Sequence, residues 1–244
     1  RFGTVREIQL NTVLVSGGAS GIGAATVDRL LIKGVSVVAT FHNIEPKTDH
    51  ANLKWIKADL SLPDDRAHIY ASLSSEPNLS GVVNAAGINI IEPIDSVSPE
   101  SVEELWQVNF FSAYELCRKL APYLQREEPG KIVNVASIWA EKAKPGRSNY
   151  AASKAALLGM TRALAVELGP SGVLVNSVSP GFTATDLTSR SLSGEELKKI
   201  SNRIPLGRLA QPSEVAEVIA FLVGTQNTYI TGQNIIADGG FSVA

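Results

Sequence analysis

Residues 12–23 read Thr12-Val13-Leu14-Val15-Ser16-Gly17-Gly18-Ala19-Ser20-Gly21-Ile22-Gly23, and their reading decides the fold. The first five form a β-branched, apolar run of strand length. Glycines break that run directly before an apolar helical pattern that continues to about Lys33. Strand, glycine turn and helix in this order open a βαβ unit. Glycine lets the backbone approach a phosphate closely, and free N–H groups at the positive end of a helix dipole favour its charge. Gly17, Ser20, Gly21, Ile22 and Gly23 are therefore candidate contacts to a pyrophosphate, although such turns also occur without a ligand.

The alternation continues outward from this unit. Gly34 ends the helix and a second strand follows at 35–40. In dinucleotide sites the end of that strand meets the adenosine ribose, where a carboxylate accepts from the 2′-hydroxyl and repels a 2′-phosphate. Here Thr40, Phe41, His42 and Asn43 stand, with Glu45 the nearest acid, which points to NADP(H) over NAD(H) without an Arg to fix the choice. A third strand at 53–56 runs to Asp59 and Leu60, placed to meet adenine; an N-cap role for Asp59 or Asp64 is the alternative. A helix from Asp64 to about Leu73 precedes the fourth strand and turn at 81–87, whose Asn84, Ala85, Ala86 and Gly87 are small enough for close cofactor contact. Ser98, Pro99 and Glu100 open a helix that the pattern carries past Asn109 to about Arg126. A mid-helix Asn is disfavoured, so Asn109 marks a polar role or a kink.

The fifth strand, 131–137, delivers Ser137 at its C-terminal end, where open α/β sheets place ligand crevices. Tyr150 and Lys154 follow on the next helix, four residues apart and hence on one face. An adjacent cation lowers the pKa of a phenol, and such a pair suits proton transfer to or from an alcohol. The same spacing also arises by chance on amphipathic helices. A sixth strand at 173–178 leads through Pro180 and Gly181 into a polar segment, 182–190, long enough to act as a lid or binding element. Ser193 and Glu196 read as a capping box, Pro212 opens the last long helix, and a final strand lies at 233–237.

Bulk properties agree with one α/β domain spanning residues 1–244. The chain is 44% hydrophobic and 19% charged with a net charge of −2, enough apolar residues for a core and no basic footprint for nucleic acid or an anionic membrane. Cys117 is the only cysteine, so no internal disulfide forms, and a reducing cytoplasm fits. Neither a membrane span nor a secretion signal is expected, and the scattered His42, His50 and His68 suggest no metal site.

Taken together these motifs resemble the short-chain dehydrogenase/reductase family along nearly the whole chain. Ser16 to Gly23 is similar to the family's TGxxxGxG turn with Ser for Thr, and Asn84 to Gly87 to its NNAG with Ala for the second Asn. Asn109, Ser137, Tyr150 and Lys154 fall on its catalytic tetrad. The resemblance implies a Rossmann-type, doubly wound parallel sheet of about seven strands with helices on both faces, in three α/β/α layers. It also implies a homotetramer or homodimer, and an NAD(P)(H)-dependent interconversion of a secondary alcohol and a ketone on a small molecule. Tyr150 then transfers the proton, Lys154 lowers its pKa and bonds the nicotinamide ribose, Ser137 donates to the substrate oxygen, and Asn109 holds a water that links Lys154 to solvent. Pro180, Gly181, Thr183 and Thr185 are implied contacts to the nicotinamide half.

The segment 205–240 resembles the 3-oxoacyl-carrier-protein reductase branch in particular. In that branch basic residues anchor the acidic carrier, whereas Glu127, Glu128, Pro129 and Ser171 stand at those places here, and acids would repel it. A carrier-protein reductase is thus one alternative, and a non-catalytic dinucleotide-binding sensor is another. Between Ser137 and Tyr150, Trp139, Lys142, Lys144 and Arg147 bring three cations towards the expected substrate mouth, where an acidic substrate would suit them; a solvated basic loop is the plainer reading.

Overall fold

The computed structural model describes residues 11–244 except 75, 77, 127, 186, 187 and 189–193. β1 (Thr12–Ser16) is buried at every residue, as a strand covered on both faces must be. β2 (Ser36–Phe41) and β3 (Leu53–Lys57) add on one side of it. β4 (Leu79–Asn84), β5 (Lys131–Val135), β6 (Leu174–Pro180) and β7 (Asn234–Ala237) add on the other. The order is β3-β2-β1-β4-β5-β6-β7 and every pairing is parallel. The expected seven-stranded, doubly wound sheet is therefore present. Strand order reverses between β1 and β4, and ligand crevices of such sheets open at the C-terminal ends of the strands flanking that point.

Successive side chains of a strand point to opposite faces. Leu14 accordingly packs into one apolar cluster with Ile69 and Leu73 of α2 (Pro63–Leu73), Leu116 and Leu120 of α4 (Ser112–Leu124) and Leu157 of α5 (Ser148–Leu168). Val13 and Val15 pack into a second cluster with Val27 and Leu30 of α1 (Gly21–Ile32) and Val215 and Ile219 of α7 (Pro212–Val223). The sheet separates two cores, which makes the three layers. α3 (Pro99–Trp106) and α6 (Gly194–Ser201) complete the described helices. Among the described residues no helix is long and apolar enough to cross a membrane, and no cluster of ligands could hold a metal ion.

Several boundaries differ from the sequence-based expectation. The single helix expected from Ser98 to about Arg126 is instead α3, a π-helical turn at Gln107–Phe111, and α4. The π turn carries Asn109 inward to 1% exposure, so the suspected irregularity lies at that residue. β5 stops at Val135, and Ser137 instead caps a 3-10 turn by accepting from the Trp139 N–H at 3.2 Å. β6 runs on to Pro180, where the Gly181 N–H donates to the Ala237 carbonyl at 2.9 Å beyond the proline that has no N–H to give. Neither Asp59 nor Asp64 is the N-cap of α2: Leu62 is, followed by Pro63. Ser193, half of the expected capping box, and most of 186–193 lie outside the described residues.

Candidate active site

The glycine turn is held by its neighbours' hydroxyls. Ser16 Oγ accepts from the Ala85 and Ala86 N–H groups at 3.1 and 3.3 Å, joining the ends of β1 and β4. Thr40 Oγ1 accepts from Gly17 N–H at 3.0 Å, and the Thr40 carbonyl accepts from Gly18 N–H at 2.8 Å. Thr40 is 1% exposed, so its hydroxyl supports the turn. Gly17 (φ +68°) and Gly21 (φ +52°) sit in the left-handed region, and a Cβ at Gly23 would lie 2.1 Å from the Gly17 carbonyl oxygen. Ser20 does not cap α1 with its side chain, and the first turn of α1 carries no acid. The positive helix end is thus left open towards a cavity of about 440 Å³, a donor set that fits a dinucleotide pyrophosphate.

That cavity is lined by Gly17, Ser20, Gly21, Ile22, Gly23 and Thr40, by Phe41, His42, Asn43, Asp59 and Leu60, and by Ala85, Ala86 and Gly87. His42 Nε2 lies 3.6 Å from Asp59 Oδ2. Burial works against ionisation of Asp59, but bonds from the Ser61 hydroxyl and amide and the nearby His42 and Arg66 outweigh it and hold the carboxyl below its usual range.

A second cavity of about 160 Å³ adjoins the first, since Ile22, Ala85, Gly87, Ile88, Val135 and Thr185 belong to both walls. Ser137, Tyr150 and Lys154 line it together with Pro180, Gly181 and Thr183. Burial raises the Tyr150 pKa, opposed by the hydrogen bond from Ser137 and by the Arg147 charge. Lys154 is 4% exposed, its Nζ donates to the Val135 carbonyl at 2.9 Å, and burial depresses its pKa to about 8. Lys154 and Tyr150 share one face of α5, with Nζ over the Tyr150 ring at 5.9 Å from its centroid.

Two expected site residues stand outside both cavities. Asn109 Oδ1 accepts from the Ile88 N–H at 2.8 Å, while its Nδ2 donates to the Ile88 carbonyl and Ser153 Oγ at 3.0 and 3.2 Å. It is therefore the anchor of the 85–89 loop. Asn84 points into the layer behind, its Nδ2 donating to Asn134 Oδ1 at 2.8 Å. Of the three cations expected at the mouth, only Arg147 lines the catalytic cavity. Lys142 and Lys144 are exposed and border a separate surface depression, because the 142–146 turn runs outward over the surface before Arg147 re-enters. Phe182 and Phe241 were not legible as partners of Trp139. The three rings pack edge to face at centroid distances of 5.9, 6.5 and 5.2 Å, although they are far apart along the chain and no local pattern links them.

Fold, glycine turn and the Ser137–Tyr150–Lys154 cavity define a dinucleotide-dependent oxidoreductase, and the chain belongs to the short-chain dehydrogenase/reductase family. The family model described as Enoyl-(Acyl carrier protein) reductase matches residues 17–242. The 3-oxoacyl-[acyl-carrier-protein] reductase FabG of Thermotoga maritima is 34% identical, covering 94% of this chain and 97% of its own. Among solved structures, 4-hydroxyisoleucine dehydrogenase complexed with NADH is 32% identical with a TM-score of 0.86, covering 96% of this chain and 99% of its own. A variant of ElxO with NADPH bound is 25% identical with a TM-score of 0.89, covering 96% of this chain and all of its own (100%).

Proposed function

We propose that this chain reduces a small ketone to a secondary alcohol, or runs the reverse reaction, with NADP(H) as cofactor. The observation that carries the reading is the continuity of the two cavities, which sets Ser137, Tyr150 and Lys154 beside the glycine turn. Gly17, Ser20, Gly21, Ile22 and Gly23 would hold the pyrophosphate, Phe41 and His42 the adenosine ribose phosphate, and Asp59 and Leu60 the adenine. Ala85, Ala86, Gly87, Pro180, Gly181, Thr183 and Thr185 would line the nicotinamide half, with Lys154 on its ribose. When bound, the cofactor supplies or accepts the two electrons of the reaction as hydride.

Ser137 Oγ donates to the substrate oxygen and Tyr150 Oη transfers the proton, with the Arg147 charge working against the effect of burial on the phenol. The preference for NADP(H) rests on the end of β2, where Phe41, His42 and Asn43 follow Thr40 without a carboxylate. Titrating NADPH and NADH side by side and following their oxidation against a panel of ketones tests both points. Tighter NADH binding removes the cofactor preference, and no turnover of any ketone favours the sensor reading. The similarity to FabG supports a second substrate class, acyl-carrier thioesters. Glu128 is exposed where a carrier would dock, so on that reading charge reversal at Glu127 and Glu128 raises activity on acyl carrier protein. A cytoplasmic homotetramer is the assembly that accompanies this family reading, and light scattering of the purified chain checks its size.

A further inference from the structure

Arg147 is a buried cation. It is 6% exposed, and among the described residues no Asp or Glu forms an ion pair with it, unlike Arg29, Arg66 and Arg208, which each meet a carboxylate. Its Nη1 donates to Asn89 Oδ1 at 3.0 Å, and its guanidinium lies 5.4 Å from the Trp139 ring centroid. Its Nε is buried with no hydrogen-bond partner. Glu92, whose N–H donates to the Gly146 carbonyl, accepts from the Ser101 hydroxyl at one carboxylate oxygen and buries the other without a hydrogen-bond partner, yet forms no ion pair with Arg147. A buried charge is costly unless paired, and removing it from water with donors unspent is unfavourable without a ligand to meet them. The unpaired group stands in the wall of the cavity that also holds Ser137 and Tyr150.

We infer that Arg147 is a specificity-determining residue that receives the carboxylate of an oxo-acid substrate, whose ketone then lies at Ser137 and Tyr150. Guanidinium is suited to this work, since its planar fork matches a carboxylate and stays charged. Asn89 and the Trp139 face orient that fork and leave part of it free. Trp139 and Phe182 line the same cavity, with Phe241 packed on both rings, and together they suit the carbon chain of a small acid. The inference rests on the ketone-reductase reading, and it separates this chain from a thioester reductase: a thioester offers no charge at the acyl carbon, whereas a free oxo acid does.

The test measures kcat/KM with NADPH for pyruvate, acetoacetate and levulinate against their methyl esters. Equilibrium binding of the same acids to the cofactor-loaded protein is followed by calorimetry as a readout independent of turnover. At least one acid is expected to exceed its ester by ~10-fold or more in kcat/KM, the scale of one charge-assisted hydrogen bond. Arg147→Met should bring that ratio near one by raising KM for the acid, and Arg147→Lys should retain an intermediate ratio. A merely structural Arg147 would lower acid and ester together and leave the ratio intact. Equal use of acids and esters by the wild type overturns the inference while the reductase reading stands. Acids that bind without turnover, and lose binding in Arg147→Met, keep Arg147 as the carboxylate site but overturn its role in substrate choice together with the reductase reading. Failure of every acid either to bind or to react overturns the inference.

Discussion

Asn109→Ala probes how the π turn supports the site. The substitution removes three hydrogen bonds, to the Ile88 N–H, the Ile88 carbonyl and Ser153 Oγ, and leaves both polar groups of the Ile88 backbone without their partner. At about 1 kcal/mol for each bond the loss is ~3 kcal/mol. For a chain of this size ~1 kcal/mol moves Tm by about 2–4 °C, so scanning calorimetry of the cofactor-free protein should show a fall of ~6–12 °C. The loop thus loosened contains Gly87, where a Cβ would lie 3.3 Å from Asn109 Oδ1 and 3.1 Å from Lys154 Nζ, so turnover should fall as well. Asn109→Asp keeps the acceptor for the Ile88 N–H but loses both donors and buries a carboxylate oxygen against the Ile88 carbonyl, so its Tm should fall at least as far. A Tm within ~2 °C of wild type would refute the argument that these bonds anchor the loop.

Two further outcomes follow from the same geometry. Gly23→Ala forces a Cβ against the Gly17 carbonyl at 2.1 Å, so NADPH binding by calorimetry should weaken at least ~10-fold or the chain should fail to fold. Lys154 has a folded pKa of about 8, below its ordinary value, so its buried charge penalises folding below that pH and the penalty is relieved as pH rises towards ~10.4. The Tm difference between wild type and Lys154→Met should therefore shift in favour of wild type between pH ~8 and ~10, and a difference independent of pH across that window would contradict the assigned burial.

Local pattern carried most of the fold. The apolar run at 12–16 and the glycines behind it specify strand and turn by chemistry that acts within a few residues, and β1 has those same bounds. Elements failed to be legible where a distant partner decides them. Asn109 turns inward at the π bulge because Ile88 and Ser153 are there to receive it, and helical periodicity contains neither. Lys154 stands over the Tyr150 ring on the face its spacing predicts, but its bond to the Val135 carbonyl depends on a strand that helical periodicity does not contain. The cations of 142–147 look alike as sequence, yet only Arg147 is buried against Trp139 and Asn89. Asn84 shows the same limit, since its partner Asn134 lies on the neighbouring strand.

The central claim is that Tyr150 moves the proton. Tyr150→Phe removes one oxygen from a cavity whose other walls it leaves in place, and the decisive measurement pairs NADPH binding with single-turnover and steady-state rates on whichever ketone the wild type reduces. The account predicts cofactor affinity close to wild type and turnover lowered at least ~100-fold, the scale of general acid–base catalysis. Near-normal turnover by Tyr150→Phe would contradict it.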